Sequence, residues 1–548
     1  MRTGAKTLIF WGAGATAAIG LRVTSKQAAA IKSLVGGDAR ETLTDRVNEA
    51  LLTSNDWTAP LIDLLAILGD DTEDIYRISP DSRNAMSRHW HDSAREVLDA
   101  RISELRALFD WPALKDVVRA SPGFREGERF QLQDVFNLMD IHANSYHGFP
   151  VPQRFLPPGR LVAARRALQM LLNTLFYVDW QTALSTKKTE LDKHMGFARL
   201  LTEHYQQEGL RLAATRQHFD SRDFYLGDIA FASLNYDPVA LWAQFIANRE
   251  ANKTSPPYID FPRVPLKIFH DFGIFMAVST IGPKTNEPNE KERVWYPLNE
   301  ASAQRLNDRD HVSRRVRINK FLFPHGCLCW RECPSCGKLS AYMGKDWNLH
   351  SPALIPPPPL RGFVRWTENT LQPETDKEKI GWNRGEVDLR SCVHCGESTF
   401  AQHTQAVMQS NFKAAPPSFI EEVQRDLRVA SQAAKHIVLM GYSLPSDDVT
   451  YRAFFAARQL RQKKDDDLPV KCSVVVGQTW EDCWHGPDEI ERLLPKMEKG
   501  EAPRTTLEAA RDLFGRDNVR FYGSGIPQVF CEGDTASRLR FQQLIQWS

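Results

Sequence analysis

The chain lacks an excess of charge of either sign: 69 lysines and arginines stand against 68 aspartates and glutamates, a formal net charge of +1 over 548 residues. No global field therefore draws it to nucleic acid or to an acidic membrane surface, and nucleic acid is not indicated as a partner. It also lacks any apolar run approaching the ~18 residues of a membrane-spanning helix. Arg2 and Lys6 precede an apolar segment, but two glycines interrupt it, so it reads as folded structure rather than a secretory leader. The nine cysteines are not spread as a disulfide framework. Several sit at metal-ligand spacing, which favours a reducing, cytoplasmic setting.

What is present begins with TLIFWGAGATAAIG at 7–20, a short apolar run that breaks into glycines and resumes with small residues. It reads as strand, tight turn and helix. Gly12 and Gly14 permit a sharp turn and close approach of a ligand, and a helix beginning near Thr16 would aim N–H groups at a phosphate. An ordinary dinucleotide fold also places an acidic residue about 20 positions on, at the end of a second strand. Here that region, KQAAAIKSLVGGDARETL, reads as helix or loop, and Asp38 and Glu41 follow no strand.

The length leaves room for roughly three domains. From about 24 to 222 apolar residues recur at spacings of three and four, as in AREVLDARISELRALFDW and LVAARRALQMLLNTLFYV, which predicts helices packed on one another. Turn-rich breaks such as HGFPVPQRFLPPGR mark this as an inserted helical module. The period then changes at DIAFASLNYDP, a strand followed by the helical VALWAQFIANRE. Asn235 and Asp237 fall at the carboxyl end of that strand, where open α/β sheets bind ligands; both residues also suit plain turn chemistry.

A further strand is expected to end at His325-Gly326. Two C-x-x-C pairs follow, Cys333 with Cys336 and Cys392 with Cys395. Each tight turn presents two thiolates, and the pairs together complete a tetrahedral, structural zinc site. Cys327, Cys329 and His394 are alternative ligands. The α/β pattern returns in AAKHIVLMGYSLPSDD, VKCSVVVGQTW and NVRFYG, and the loop after Met440, with Gly441 for close approach and the Ser443 hydroxyl, is a candidate second wall for the same ligand.

The order of these pieces resembles the sirtuin family: GAGAT with Gly20 beyond it, then LNYD, HG, two C-x-x-C pairs and MGYSL. The match covers about half of the chain, mainly 7–22, 228–240, 320–400 and 430–480. The resemblance implies an α/β fold with a Rossmann-like parallel sheet, a helical insertion and a small zinc-binding module. The sheet domain would comprise 1–23, 223–324 and 400–548, the insertion 24–222 and the zinc module 325–399. It further implies that Gly12, Ala13, Gly14 and Thr16, with Gly20, hold the diphosphate of NAD, that Gly441, Tyr442 and Ser443 hold the adenosine side, and that Asn235 and Asp237 hold the nicotinamide ribose. His325 would be the general base.

The chain departs from protein-deacylating sirtuins in the region QAVMQSNFKAAPPSF, where a Phe-Gly-Glu loop would line an acyl-lysine channel. GYSLPSDD and the large insertion are instead similar to the sirtuin-like NADases of bacterial antiphage defence. The implied activity is NAD glycohydrolysis to nicotinamide and ADP-ribose, held off by a homo-oligomer or a partner subunit and switched on by a phage-derived activator. A protein deacylase, and a non-catalytic NAD or ADP-ribose sensor or zinc-bearing scaffold, are the alternatives.

Overall fold

The computed structural model describes residues 6–36, 58–69, 78–90, 92–125, 130–152, 154–214, 228–254, 267–270, 276–279, 294–297, 317–332, 339–341, 349–350, 355, 403–406, 418–445, 448–465, 469–477 and 480–547. Its centre is an eight-stranded sheet made of β1 (Thr7–Trp11), β2 (Ile229–Ser233), β3 (Lys267–His270), β4 (Arg317–Leu322), β5 (His436–Met440), β6 (Lys471–Val475), β7 (Trp484–His485) and β8 (Val519–Tyr522). The spatial order is β7-β8-β6-β5-β1-β2-β4-β3. Seven strands run parallel and β7 alone is antiparallel.

The sequence explains why the sheet is covered on both faces. Strands β1, β2 and β5 are apolar at nearly every position, the mark of strands buried on two sides. Ile9, Trp11, Phe231 and Val438 enter one core; Leu8, Phe10, Ala230 and Leu439 enter the other. The first face is packed by α9 (Lys188–Ala214), α10 (Val239–Thr254) and α15 (Arg538–Ile545), the second by α11 (Ser418–Ala433), α12 (Val449–Asp465), α13 (Pro487–Leu493) and α14 (Ala502–Phe514). This is a Rossmann-like α/β arrangement.

Between β1 and β2 the chain runs through helices α1 (Gly14–Ala17), α2 (Thr24–Gly36), α3 (Thr58–Gly69), α4 (Pro80–Trp90), α5 (Arg95–Leu108), α6 (Trp111–Ala120), α7 (Leu132–Asn144) and α8 (Pro158–Thr186), then α9. Described residues of these helices, from Ala28 to Val178, build a separate hydrophobic core, as their 3.6-residue periodicity requires. Helix α8 belongs to both cores: Leu161, Leu168 and Leu175 face the helical one, while Phe176, Trp180 and Ala183 face the sheet. The break at HGFPVPQRFLPPGR is a short hairpin, Phe149–Val151 with Arg154–Leu156. No helix among the described residues is long and apolar enough to cross a membrane.

At the amino end of the sheet, buried polar groups fasten the last helix. The Arg520 guanidinium donates to Ser473 Oγ at 2.7 Å and to the Gln546 carbonyl at 3.0 Å, and also reaches the Gln543 carbonyl. It lies 4.1 Å from the Trp484 ring centre and 5.0 Å from that of Trp547. Burial pushes its pKa down to about 10. Thr7 Oγ1 donates to the Ile545 carbonyl at 3.0 Å. These bonds satisfy carbonyls at the end of α15 that have no partner within the helix. Replacing Arg520 with Leu would strand them, so R520L should lose about 2–4 kcal/mol of stability in denaturant unfolding; an unchanged midpoint would refute this role.

Candidate functional site

The strand order makes a crevice. From β1 the chain departs to one side, towards β2, β4 and β3, and later returns to lay β5 on the other side. Loops leaving the carboxyl ends of β1 and β5 therefore diverge, the arrangement in which open α/β sheets bind ligands. Register keeps the exits level, because Trp11 pairs with Met440 on one side and with Ser233 on the other. Gly12, Gly441 and Leu234 thus leave the sheet side by side.

The two glycine loops touch through backbone. Gly12 N–H donates to the Met440 carbonyl at 2.8 Å and Gly14 N–H to the Gly441 carbonyl at 2.9 Å, while Gly441 N–H reaches the Val475 carbonyl at 2.9 Å. A Cβ on Gly441 would lie 2.2 Å from Ala15 N, and one on Gly12 would lie 2.5 Å from the Gly441 oxygen. Gly441 also has φ +62, a conformation that favours glycine. The close approach foreseen for Gly12 and Gly14 is therefore, in the first place, an approach to the other loop. The helix after the turn starts at Gly14 rather than near Thr16 and makes one turn, Gly14–Ala17. Gly20, with φ +91, turns the chain beyond it, before α2 begins at Thr24.

Thr16, Asn235 and Asp237 form one buried cluster. The Asn235 amide donates to Thr16 Oγ1 at 3.1 Å, and Thr16 Oγ1 donates to an Asp237 carboxylate oxygen at 3.2 Å. The other Asp237 oxygen accepts from Val239 N–H at 3.1 Å, which caps the start of α10. Asp237 thus performs the turn chemistry read from LNYDP and also bonds Thr16, just past the glycine turn. Burial pushes its carboxyl pKa up to about 6, against hydrogen bonds from Val239, Thr16 and Asn235 that favour the ionised form.

His325 sits at the same end of the sheet. Strand β4 ends at Leu322 rather than running on to His325, and a turn places the imidazole before a new strand at Gly326–Glu332. Gly326, with φ +78, permits that turn. Leu328 N–H donates to the Tyr236 carbonyl at 2.8 Å, tying the new strand to the Asn235–Asp237 turn. The buried His325 ring lies 6.1 Å from Tyr236 and 5.5 Å from Tyr451, whose ring in turn faces Tyr442 at 6.5 Å. Tyr442 donates to Asp448 at 2.6 Å. Four segments far apart in sequence, at 12–16, 235–237, 325 and 441–445 with Asp448, so meet at one end of the sheet.

Ser443 is half-buried, and its carbonyl accepts from the Thr506 hydroxyl at 3.2 Å. Cys333, Cys336, Cys392, Cys395 and His394 lie outside the described residues, and so does the side chain of Cys329; Cys327 is buried in the first core. Tyr451 was not legible as a wall of the site, since VTYRAFFAARQL carries only the apolar spacing of a helix. No family model matches the chain, and no curated protein matches it.

Two outcomes test this geometry. Gly441→Ala should destabilise the protein by about 2 kcal/mol or more, as a strained φ and a backbone clash combine; an unaltered melting temperature would contradict the packing. Asp237 holds its proton more tightly folded than unfolded, so its burial costs nothing below the ordinary value of 3.8 and destabilises the protein as pH rises through about 6. The rise of about two units corresponds to about 3 kcal/mol. Asp237→Asn should therefore gain stability relative to the parent between ~pH 4 and ~pH 7.5, read from unfolding at both values.

Proposed function

We propose that this crevice binds NAD and hydrolyses its nicotinamide–ribose bond, releasing nicotinamide and ADP-ribose. The observation that carries the reading is the convergence of the GAGAT loop, Asn235, Asp237 and His325 at the carboxyl ends of adjacent parallel strands, tied through the Asn235–Thr16–Asp237 hydrogen bonds. Gly12, Ala13, Gly14 and Thr16 would lie along the diphosphate, and Gly441 to Ser443 towards the adenosine. Because Gly12, Gly14 and Ala15 N–H groups already donate to backbone carbonyls, diphosphate binding rests on the rest of the loop and on Thr16 rather than on a long helix dipole.

Breaking the C–N bond builds positive, oxocarbenium-like charge on the ribose, so positioning and a nearby negative or polar group lower the barrier. Asp237, ionised above about pH 6, supplies that charge behind the amide of Asn235. Thr16 and Asp237 engage the NH2 end of Asn235, which turns its carbonyl oxygen towards a water. The water's oxygen bonds to the ribose carbon as nicotinamide leaves, and His325 takes the water's proton. Zinc held by Cys333, Cys336, Cys392 and Cys395 would serve a structural role only, since four thiolates leave no open position for chemistry.

In a cell such an activity exhausts a shared cofactor, which fits a regulated antiphage effector kept silent by self-assembly or a partner subunit and released by an activator made during infection. Purified protein given NAD without any acyl-peptide should release nicotinamide, alone or after addition of extract from phage-infected cells. His325→Ala and Asn235→Ala should each lower that release by about 10²-fold or more. Cleavage that requires an acyl-lysine peptide would replace the reading with a deacylase, and NAD binding without cleavage under any condition would replace it with a sensor.

A further inference from the structure

Two helices of the insertion reach the glycine loop with buried polar side chains. His194, on α9 and 2% exposed, places Nε2 2.9 Å from the carbonyl of Ala15, in the loop, and Nδ1 2.7 Å from the carbonyl of Glu190, one turn earlier on its own helix. Asp179, near the end of α8, accepts from the Arg22 N–H at 3.2 Å and pairs with the Arg22 guanidinium at 3.0 Å. One insertion side chain thus holds each end of the 14–22 segment.

The His194 contacts conflict with one another. Burial pushes its pKa below the ordinary value, so the ring is neutral, and a neutral imidazole carries one N–H and one lone pair. Both neighbours are carbonyl oxygens, which only accept. One contact is a hydrogen bond and the other sets lone pair against lone pair. Trp11, at 5.8 Å, and Phe530, at 6.1 Å, wall the ring edge-on, so it is enclosed between the sheet and the C-terminal segment. Helix α9 is also fixed to that segment: Phe197 lies 4.6 Å from Phe530, Lys193 pairs with Asp534 at 2.9 Å, and Gly196 fits against Ala536 with no room for a side chain.

We infer that His194 and Asp179 are positioning residues through which the helical insertion sets the conformation of the glycine loop. His194 chooses between two carbonyls: protonated on Nε2 it holds Ala15 and the loop is seated; protonated on Nδ1 it turns to its own helix and Ala15 is released. For its effect on turnover the inference rests on the reading of the crevice as an NAD site.

The test is hydrogen–deuterium exchange of the full-length protein over residues 12–20, whose Gly14, Ala15 and Gly20 amides are hydrogen-bonded, beside NAD steady-state kinetics. His194→Ala should speed exchange of the loop about tenfold and raise KM for NAD about tenfold with kcat within about twofold, the effect of one lost buried hydrogen bond. His194→Gln, which keeps an N–H donor for Ala15, should restore both. Asp179→Asn should quicken exchange around Arg22 and serves as the second variant should His194→Ala fail to fold. Folded variants with unchanged loop exchange would overturn the grip. A parent protein that neither binds nor cleaves NAD would overturn the NAD reading alone, since exchange reports on the loop without ligand.

Discussion

The contact on which the crevice depends is backbone against backbone: the chain at Gly12–Ala15 lies so close to Gly441 that neither loop has space for a Cβ where they meet. Two strands that leave a sheet side by side and then diverge need such a contact at their exit, because hydrogen bonds between loops can form only if the main chains come within reach. Gly14 to Gly441 is that bond, and the chain pairs beneath it are parallel and in register. Everything the crevice offers a ligand is placed relative to this junction.

Around the junction, polarity is brought in by burial rather than by surface charge. Thr16, Asn235 and Asp237 are each nearly inaccessible, and each is partnered by the others. A carboxyl group so enclosed resists ionisation, and the hydrogen bonds it accepts are what keep its charged form attainable near neutral pH. At the opposite end of the sheet the same economy of polar groups fastens the terminal helix, with Arg520, His436 and Thr7 meeting its carbonyls and the Ser473 hydroxyl joining Arg520 to His436. Burial and the Arg520 charge hold His436 down to about 4, so that cluster carries a single positive charge.

Much of this was legible in the sequence because two-sided burial leaves a plain record. Strands β1, β2, β5, β6 and β8 are short apolar runs ended by turn residues, and the insertion's helices show their spacing openly. The candidate residues at 12, 14, 16, 235, 237 and 441 could be picked out because each follows such a strand, whereas His325, after the more polar RINKFL, rested on the order of motifs. What escaped notice are groups whose signal is three-dimensional. His194 and Asp179 are single polar residues in long helices and look like solvated positions until the helix faces are known. Tyr451 reads as core, and the two-residue antiparallel strand at Trp484–His485 is too short for any period to register. The one-turn helix at Gly14–Ala17 likewise falls below the length at which periodicity can place an end.

The sheet's central strand also sets an order of events during synthesis. Thr7 must wait for Ile229 to be made before its first neighbour exists, and for His436 before its second. Meanwhile the helical insertion has a core of its own to collapse around, so an apolar five-residue strand stays unpaired beside a folding module. The junction of the two glycine loops forms only when the stretch beyond Met440 has left the ribosome. A partly made chain therefore contains most of the crevice's residues before the junction that places them relative to one another exists.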